Sequence, residues 1–237
     1  MRIAAAQLTC VPADVQANVR QVAALADRAR EDGARVVVFP ELAVTGYELE
    51  AIAGDSGLWV GAEDSRLDPL RGTGIVTVVN CAGPGEHGGD PRIATYVYGA
   101  DGALITAYYK QRLYEQEQQY FTAGEVDGRF EFDGVRFALA TCFDNHFSDL
   151  IARVREDRCD VHLASSLYGT GGGIEERAKV YPGIAADANV FVALANHVGA
   201  AGPFTGCGGA ALWAPGGALI TEADDRTAMV AVADIGV

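Results

Sequence analysis

Three segments that lie far apart in the sequence each end an extended run with a residue that can do chemistry. These residues are Glu41, Lys110 and Cys142. A carboxylate, an ammonium and a thiol are the groups needed for acyl transfer through a cysteine thioester. The thiol attacks a carbonyl carbon, the carboxylate moves protons, and the ammonium stabilises developing negative charge. The pattern therefore predicts a nucleophilic active site.

The thiol is the weakest of the three groups at neutral pH. A free cysteine has a pKa of about 8.5, so only a few per cent of it is thiolate. We expect Glu41 to take the thiol proton and later return it to a leaving amine, and Lys110 to stabilise the thiolate and the oxyanion. The backbone N–H of Phe143 follows the nucleophile directly and is a second predicted oxyanion donor; losing one such donor typically costs about 10²–10³ in turnover.

Taken singly, each residue has an ordinary structural explanation. Glu41 would be a surface charge, Lys110 an edge-strand lysine, and Cys142 a small buried apolar residue. Their joint occurrence, each at the end of a predicted strand, favours the catalytic interpretation.

The elements that must position these residues are short strands interspersed with helices. Strands are predicted at 2–8, 36–39, 75–81, 161–165 and 190–195, and hairpins pair 93–98 with 103–109, 130–132 with 135–141, and 210–213 with 218–221. Helices are predicted after an Asp14 cap, along 147–154, and from about Ile174, where Pro182 should kink or shorten the helix. The order predicts one α/β domain over residues 1–237, a layered fold with either a mixed sheet or two sheets covered by helices.

Composition excludes several classes of function. Hydrophobic residues make up 49% of the 237 residues and the formal net charge is −14, which argues against nucleic acid and anionic membranes as partners. The sequence has no predicted signal peptide and no apolar run of membrane-spanning length. Five cysteines without Cys-x-x-Cys spacing favour reduced thiols in the cytoplasm, and neither a metal nor a cofactor is predicted.

Five segments extend the pattern around the three residues. They are 39–47 (Phe-Pro-Glu-Leu-Ala-Val-Thr-Gly-Tyr), 108–113 (Tyr-Tyr-Lys-Gln-Arg-Leu), 117–124 (Glu-Gln-Gln-Tyr-Phe-Thr-Ala-Gly), 142–147 (Cys-Phe-Asp-Asn-His-Phe) and 192–199 (Val-Ala-Leu-Ala-Asn-His-Val-Gly). Together, and in this order, they resemble the nitrilase superfamily of carbon–nitrogen hydrolases. The resemblance covers essentially the whole chain.

The resemblance implies a set of roles and a fold. Glu41 would be the general base, Lys110 the stabiliser of the intermediate, Cys142 the nucleophile and Glu117 the second glutamate, which supports the lysine and positions substrate. Glu115 competes with Glu117, but Glu117 fits the spacing to the downstream motif better. The implied fold is a four-layered α-β-β-α sandwich whose protomers commonly pair through helices. A homodimer or a higher homo-oligomer is therefore expected.

Four residues near the predicted site are expected to contact substrate: Tyr47, Phe143, Tyr168 and Asn196. The implied substrate is a small amide. The pair Phe143-Asp144 resembles the amidase branch, whereas nitrilases often carry Trp-Glu there. Nitrile hydrolysis, carbamoyl hydrolysis, acyl transfer to an amine and a catalytically silent binding protein remain alternatives. His146 stands where the family's amidases often have an arginine that can pair with an acidic substrate, which weakens the expectation of an anionic substrate.

Two rival site patterns are less favoured. A Cys142–His146 couple would place both residues on one helix face, but a nucleophile at a strand-to-helix corner usually points away from the outer face. The glycine-rich segment 169–173 lacks the spacing and lysine of a phosphate-binding loop, and two glutamates follow it. It is expected to line the site. His87 and His162 are interpreted as structural, and His197 as a loop residue near the site mouth.

Overall fold

The computed structural model describes residues 1–85 and 89–236, and its helices and strands follow the apolar runs of the sequence. The strands are β1 (Arg2–Leu8), β2 (Val36–Val38), β3 (Val76–Gly83), β4 (Arg92–Tyr98), β5 (Leu104–Tyr109), β6 (Gly128–Phe132), β7 (Val135–Thr141), β8 (Val161–Ser165), β9 (Phe191–Ala201), β10 (Phe204–Cys207), β11 (Ala211–Trp213), β12 (Leu219–Glu222) and β13 (Met229–Asp234). The α-helices are α1 (Val15–Glu31), α2 (Leu49–Gly54), α3 (Asp68–Arg71), α4 (Ser148–Glu156) and α5 (Gly172–Ala188).

Two mixed sheets are built to the same plan. The first has the strand order β5-β4-β3-β2-β1-β13, and the second has the order β6-β7-β8-β9-β11-β12. In each sheet three parallel strands occupy the centre, β1 to β3 and β7 to β9, and antiparallel strands flank them. The sheets join where the carboxyl end of β1 pairs in parallel with β9, Gln7 with Asn196 and Leu8 with His197.

Alternating side chains of the strands supply both faces of each sheet. In β1, Ile3 and Ala5 belong to the core between the sheets, whereas Ala6 and Leu8 pack in the core that includes α1. The second sheet packs its other face on α4 and α5. The result is the four-layered α-β-β-α sandwich that the family resemblance implies. Because both faces are covered, the central strands are continuously apolar rather than alternating.

Helix α1 begins and ends where its sequence signals predict. The side chain of Asp14 accepts a hydrogen bond of 2.9 Å from the backbone N–H of Ala17. Gly33 follows the helix with a φ of +84°, a conformation that costs glycine little. The helix thereby returns the chain to β2, whose carboxyl end leads to Glu41.

Most predicted elements are confirmed, and the exceptions involve small residues. All three predicted hairpins form. Helix α5 contains Pro182 and still continues to Ala188, so of the two expected effects, a kink or a shortening, the shortening does not occur. Strand β9 runs on to Ala201, and β10 and β13 were not predicted because glycine and alanine give them a weak strand pattern. His197 was expected in a loop but is fully buried in β9.

None of the helices in the described residues has the length and apolar character needed to cross a membrane. The interpretation of His87 as structural falls outside the described residues.

Candidate active site

The strands deliver the three predicted reactive residues to one region. Glu41 follows β2, Lys110 follows β5 and Cys142 follows β7. The backbone N–H of Lys110 donates to the carbonyl of Ile93 at 2.9 Å, which fixes the end of β5 against β4. His197 on β9 donates from Nε2 to the backbone carbonyl of Glu41 at 2.5 Å. Neighbouring strands therefore hold the backbone of both charged residues.

Lys110 is the centre of a buried ion cluster. Its Nζ lies 2.6 Å from Oε1 of Glu41, and 2.8 and 2.7 Å from the two carboxylate oxygens of Glu117. Lys110 is 1% exposed, and both glutamates are fully buried. The hydroxyl of Tyr47 donates to Oε1 of Glu117 at 2.7 Å, and the N–H of Tyr114 donates to Oε2 at 2.7 Å. Glu117 is thus held from both sides.

Glu115, the alternative to Glu117, is exposed. The structure therefore brings Glu117, and not Glu115, to the lysine. The motif spacing that favoured Glu117 agrees with this position.

One ammonium cannot neutralise two carboxylates out of water. Burial raises the pKa of Glu41 to about 8, against the opposing effect of Lys110, and the negative charge of Glu117 adds to the rise. Burial opposes the charge of Lys110, but Glu41 and Glu117 outweigh it and raise the pKa of the lysine. Lys110 therefore stays charged, and Glu41 is the member that exchanges a proton near neutral pH.

Glu41 has one carboxylate oxygen to spare for this exchange. Among the described residues, Oε2 of Glu41 meets no hydrogen-bond partner at ordinary length. The thiol of Cys142 is nevertheless close enough to lower the pKa of this carboxyl. The unpaired oxygen is available to accept the thiol proton.

Cys142 sits at a sharp corner between β7 and a 3₁₀ turn, Cys142–His146. Its φ is +45°, a left-handed conformation that is unfavourable for a residue with a side chain. The side chain is partly exposed, and its Sγ lies 3.8 Å from the carbonyl oxygen of Leu167. Burial and the charge of Glu41 raise the pKa of Cys142, although Lys110 opposes them. The resting thiol is therefore protonated and needs a base.

Asp144 ties the lysine and cysteine segments together. Its Oδ1 accepts from the N–H groups of Gln111 and Arg112 at 3.1 and 2.8 Å. Its Oδ2 accepts from the N–H of Thr141 at 2.8 Å and from the hydroxyl of Tyr108 at 2.6 Å. Sequence reasoning missed this role, although the Thr141-x-x-Asp144 spacing is a helix-capping signal.

A small pocket of about 280 Å³ opens above Cys142. Its lining residues are Tyr47, Tyr114, Cys142, Phe143, His146, Leu167, Tyr168, Gly169, Thr170, Gly173, Glu176 and Phe204. Three of the four predicted substrate contacts, Tyr47, Phe143 and Tyr168, are among them. The glycine-rich segment lines the pocket as expected.

Asn196, the fourth predicted contact, does not reach the pocket wall. It is fully buried; its Oδ1 accepts from the N–H of Tyr168 at 2.7 Å, and its Nδ2 donates to the carbonyl of Gly208 at 2.8 Å. Because its polar atoms bond to backbone groups, Asn196 holds Tyr168 in place and does not itself line the pocket.

His146 is engaged away from the thiol. Its Nε2 lies 2.9 Å from the hydroxyl of Tyr168, and its Nδ1 lies 3.7 Å from Oε1 of Glu176. Both ring nitrogens therefore face other partners, which speaks against the Cys142–His146 couple. Within the part of the chain that the structure describes, no group of three or more His, Cys, Asp or Glu residues is arranged to hold a metal ion.

The chain is similar to a protein family, to named enzymes and to solved structures. A family model described as carbon-nitrogen hydrolase matches residues 2–237. A Mycobacterium tuberculosis protein named a hydrolase is 29% identical over 260 residues, covering 100% of this chain and 90% of that protein. The 2-oxoglutaramate amidase of Bacillus subtilis is 30% identical over 125 residues, which span 51% of this chain and 47%, about half, of that enzyme.

Solved structures of an amidase from Nesterenkonia sp. AN1 superpose with a TM-score of 0.89 at 27% identity. The alignment with its butyramide complex covers 99% of this chain and 90% of that one. In another structure of that amidase, acrylamide is added to the active-site cysteine.

Proposed function

The chain belongs to the carbon-nitrogen hydrolase family, and on this premise we propose that it is an amidase that hydrolyses small carboxamides through a thioester on Cys142. The observation that carries the proposal is the position of Cys142 between a small pocket and the buried cluster of Glu41, Lys110 and Glu117. A binding protein has no need of a strained thiol beside a carboxylate with a raised pKa.

The first half of the reaction forms the thioester. Sγ of Cys142 attacks the amide carbon while the thiol proton passes to Glu41. The tetrahedral intermediate then collapses, its carbon–nitrogen bond breaks, and the leaving nitrogen takes the proton from Glu41. Ammonia or an amine departs and the acyl group stays on sulfur. A pKa of about 8 suits Glu41 to both accepting and donating the proton near neutral pH.

The second half restores the enzyme. A water molecule gives a proton to Glu41 and attacks the thioester carbon. The carbon–sulfur bond breaks, the carboxylic acid leaves, and the sulfur recovers a proton from Glu41. One water is consumed for each amide bond cleaved, and no oxidant or reductant is needed.

The oxyanion of each intermediate needs positive charge nearby. Nζ of Lys110 already contacts three carboxylate oxygens, so its contribution comes from its charge unless one of these contacts opens. The backbone N–H of Phe143, next to the nucleophile, is the proposed direct donor. Glu117 keeps the lysine in place.

The test measures the ammonia released from short primary amides and from nitriles of the same chain length. Parallel reactions with an N-carbamoyl amine and with hydroxylamine as the acceptor test carbamoyl hydrolysis and acyl transfer. We expect ammonia from amides and no measurable release from nitriles. Cys142→Ala should abolish turnover with the fold retained, and intact-mass spectrometry of the unaltered protein should detect an acyl adduct. Absence of both ammonia and adduct would favour a binding protein.

We also propose that the enzyme is a cytoplasmic homodimer. All five cysteines are free, and α4 and α5 expose a groove between them that includes Ile151, Val180 and Ile184. The family resemblance implies pairing through helices. Light scattering should give twice the chain mass, and a monomer at micromolar concentration would contradict the pairing.

A further inference from the structure

The wall of the pocket above Cys142 is an arc of aromatic rings. Ring centroids of Tyr114 and Phe143 are 5.5 Å apart, those of Phe143 and His146 are 5.6 Å apart, and those of His146 and Tyr168 are 6.2 Å apart. Faces of aromatic rings carry partial negative charge and attract cations. The arc therefore offers a surface that an apolar chain or a cationic group can occupy.

A carboxylate completes the arc. Glu176, near the start of α5, lines the same pocket as Cys142, and its Oε1 lies 3.7 Å from Nδ1 of His146. Its side chain is 52% exposed, and it forms no ion pair with a lysine or arginine within residues 1–85 and 89–236. A charged group of a ligand can reach it from the pocket.

Among the described residues, no lysine or arginine pairs with Glu176, and His146 is the one titratable cation in contact with it. None of the described pocket-lining residues is lysine or arginine. Below the thiol, Lys110 is shared between two carboxylates, and the neighbouring groove beyond Tyr47 contributes Glu48 and Glu50. The whole chain carries a formal charge of −14. An anionic substituent would meet repulsion at every one of these points, whereas a cation would be attracted.

The volume of the pocket limits the size of the acyl chain that could carry a cationic group. At about 280 Å³ it lies at or below the small end of ligand pockets, which span roughly 300–1,000 Å³ for drug-sized molecules. The walls therefore suit one short, unbranched chain.

We infer that the preferred substrates are short linear carboxamides that carry a protonated amine at the far end of the acyl chain, and that Glu176 is the residue that selects them. This inference rests on the proposed amidase function. The ammonium lies against the aromatic arc and pairs with Glu176 while Cys142 reaches the amide carbon. Removal of Glu176 acts on substrate binding, so its effect appears in KM more than in kcat.

The experiment compares three amides of similar length: 5-aminopentanamide, which is cationic, hexanamide, which is neutral, and the monoamide of glutaric acid, which is anionic. For the unaltered enzyme we expect kcat/KM to fall in that order. Glu176→Gln should lower kcat/KM for the cationic amide by about two- to fivefold, the range of a partly exposed ion pair, and should change kcat/KM for hexanamide less than that. Glu176→Lys should favour the anionic amide over the cationic one.

Glu175→Gln is the matched control, because Glu175 is exposed on the same helix and does not line the pocket. It should retain the order of the unaltered enzyme. A preference for hexanamide over 5-aminopentanamide, or an equal effect of Glu176→Gln on both, would overturn the inference.

Binding separates this inference from the proposed function. Calorimetry with Cys142→Ala should give the same order of affinity for the three amides without turnover. If no amide is hydrolysed but the binding order holds, the hydrolase proposal fails and the preference for cations stands. If hexanamide is hydrolysed and the cationic amide binds no more tightly, the preference fails alone.

Discussion

Among single residues, Glu41 links the proposed catalysis to the charge balance of the buried cluster. Lys110 can neutralise one carboxylate, and Glu117 makes the more extensive contact with it, through both oxygens. Glu41 is therefore left with a proton affinity much higher than that of an exposed glutamate. The same proton that lets it act as an acid must be absent when it acts as a base.

We expect activity and stability to respond to pH in opposite directions. The general base must be deprotonated, so kcat/KM should rise as the pH passes through about 8. The pKa of Glu41 is raised above its unfolded value, so its stabilising proton is fully held below the unfolded pKa and lost as the pH rises through about 8. Rate profiles and urea unfolding between pH 5 and pH 9 measure the activity and the stability. Glu41→Gln should remove the part of the pH-dependent stability change that comes from Glu41. A flat rate profile would contradict a role of Glu41 as the general base.

Replacing Lys110 should damage the fold as well as the activity. Lys110→Ala leaves two buried carboxylates facing each other, and breaking a buried pair typically costs about 3–5 kcal/mol. Urea unfolding should show this loss at pH 8 and a smaller one at pH 5, where the carboxylates take up protons more readily. The exposed Arg20→Ala on α1 is the control and should leave the midpoint nearly unchanged. Equal midpoints for the two variants would contradict a buried ion cluster.

The reactive residue types and their strand-end positions could be predicted from the sequence, but side-chain directions could not. Asn196 belongs to a motif next to the site, yet its amide points into the protein and holds Tyr168. Asp144 appeared as an isolated carboxylate and instead accepts four hydrogen bonds. These roles depend on which backbone groups come near after folding, and sequence spacing does not encode that distance.

At the scale of secondary-structure elements, the geometry of the candidate site depends on how the strand ends are held together. The chain after β5 turns back, so that the N–H of Gly124 donates to the carbonyl of Lys110 at 2.8 Å. A Cβ atom on Gly124 would lie 2.3 Å from the carbonyl oxygen of Tyr109, closer than packed atoms allow. Gly124 therefore permits the approach that fixes the end of β5.

We predict that Gly124→Ala displaces the end of β5 and with it the ammonium of Lys110. A misplacement of about 1 Å can reduce turnover by about 10², so kcat should fall by one to two orders of magnitude. Gly72→Ala is the control, because a Cβ there meets nothing within 4 Å. Steady-state kinetics of both variants give the comparison, and full activity of Gly124→Ala would show that the strand end can relax.

The strength of the apolar pattern separates the elements that could be predicted from those that could not. Strand β2 consists of three consecutive valines, a strong strand signal. The alternation of small and larger residues in β13, Met-Val-Ala-Val-Ala-Asp, gives a weaker one. Its position follows from pairing with β1 across six residue pairs, which is a tertiary effect.

For the whole molecule, the first and last strands of the chain pair with each other in the first sheet. Strand β13 lies beside β1, where Ala231 and Ala233 belong to the core between the sheets. The backbone N–H of Ile235 donates to the carbonyl of Met1 at 2.8 Å. The inter-sheet core that aligns the site therefore includes residues from both termini.

We expect Ala231→Asp to destabilise the protein strongly, because it buries an unpaired carboxylate between the sheets; typical losses exceed about 3 kcal/mol. Asp234→Ala on the same strand removes only an exposed ion pair with Arg2 and should leave the unfolding midpoint almost unchanged. Thermal unfolding of the two variants checks this. Similar midpoints would mean that β13 does not belong to the inter-sheet core.

The four-layered arrangement could be expected from the motifs, while the pairing of β1 with both β2 and β13 could not. Apolar central strands predict sheets covered on both faces, and the four layers are what the family resemblance implies. The choice of neighbours depends on contacts between residues separated by more than 200 positions, such as Gln7 with Asp224 and Thr227. Local patterns carry no information at that separation.

The left-handed backbone of Cys142 has a consequence for stability. Glycine adopts this conformation freely, whereas a residue with a Cβ is disfavoured there by about 1–2 kcal/mol. An inactive Cys142→Gly protein should therefore resist heat at least as well as Cys142→Ala, despite its more flexible unfolded chain. On the proposed function, the need for a nucleophile explains a thiol at a corner where the backbone favours glycine, so activity and stability make opposite demands on this position.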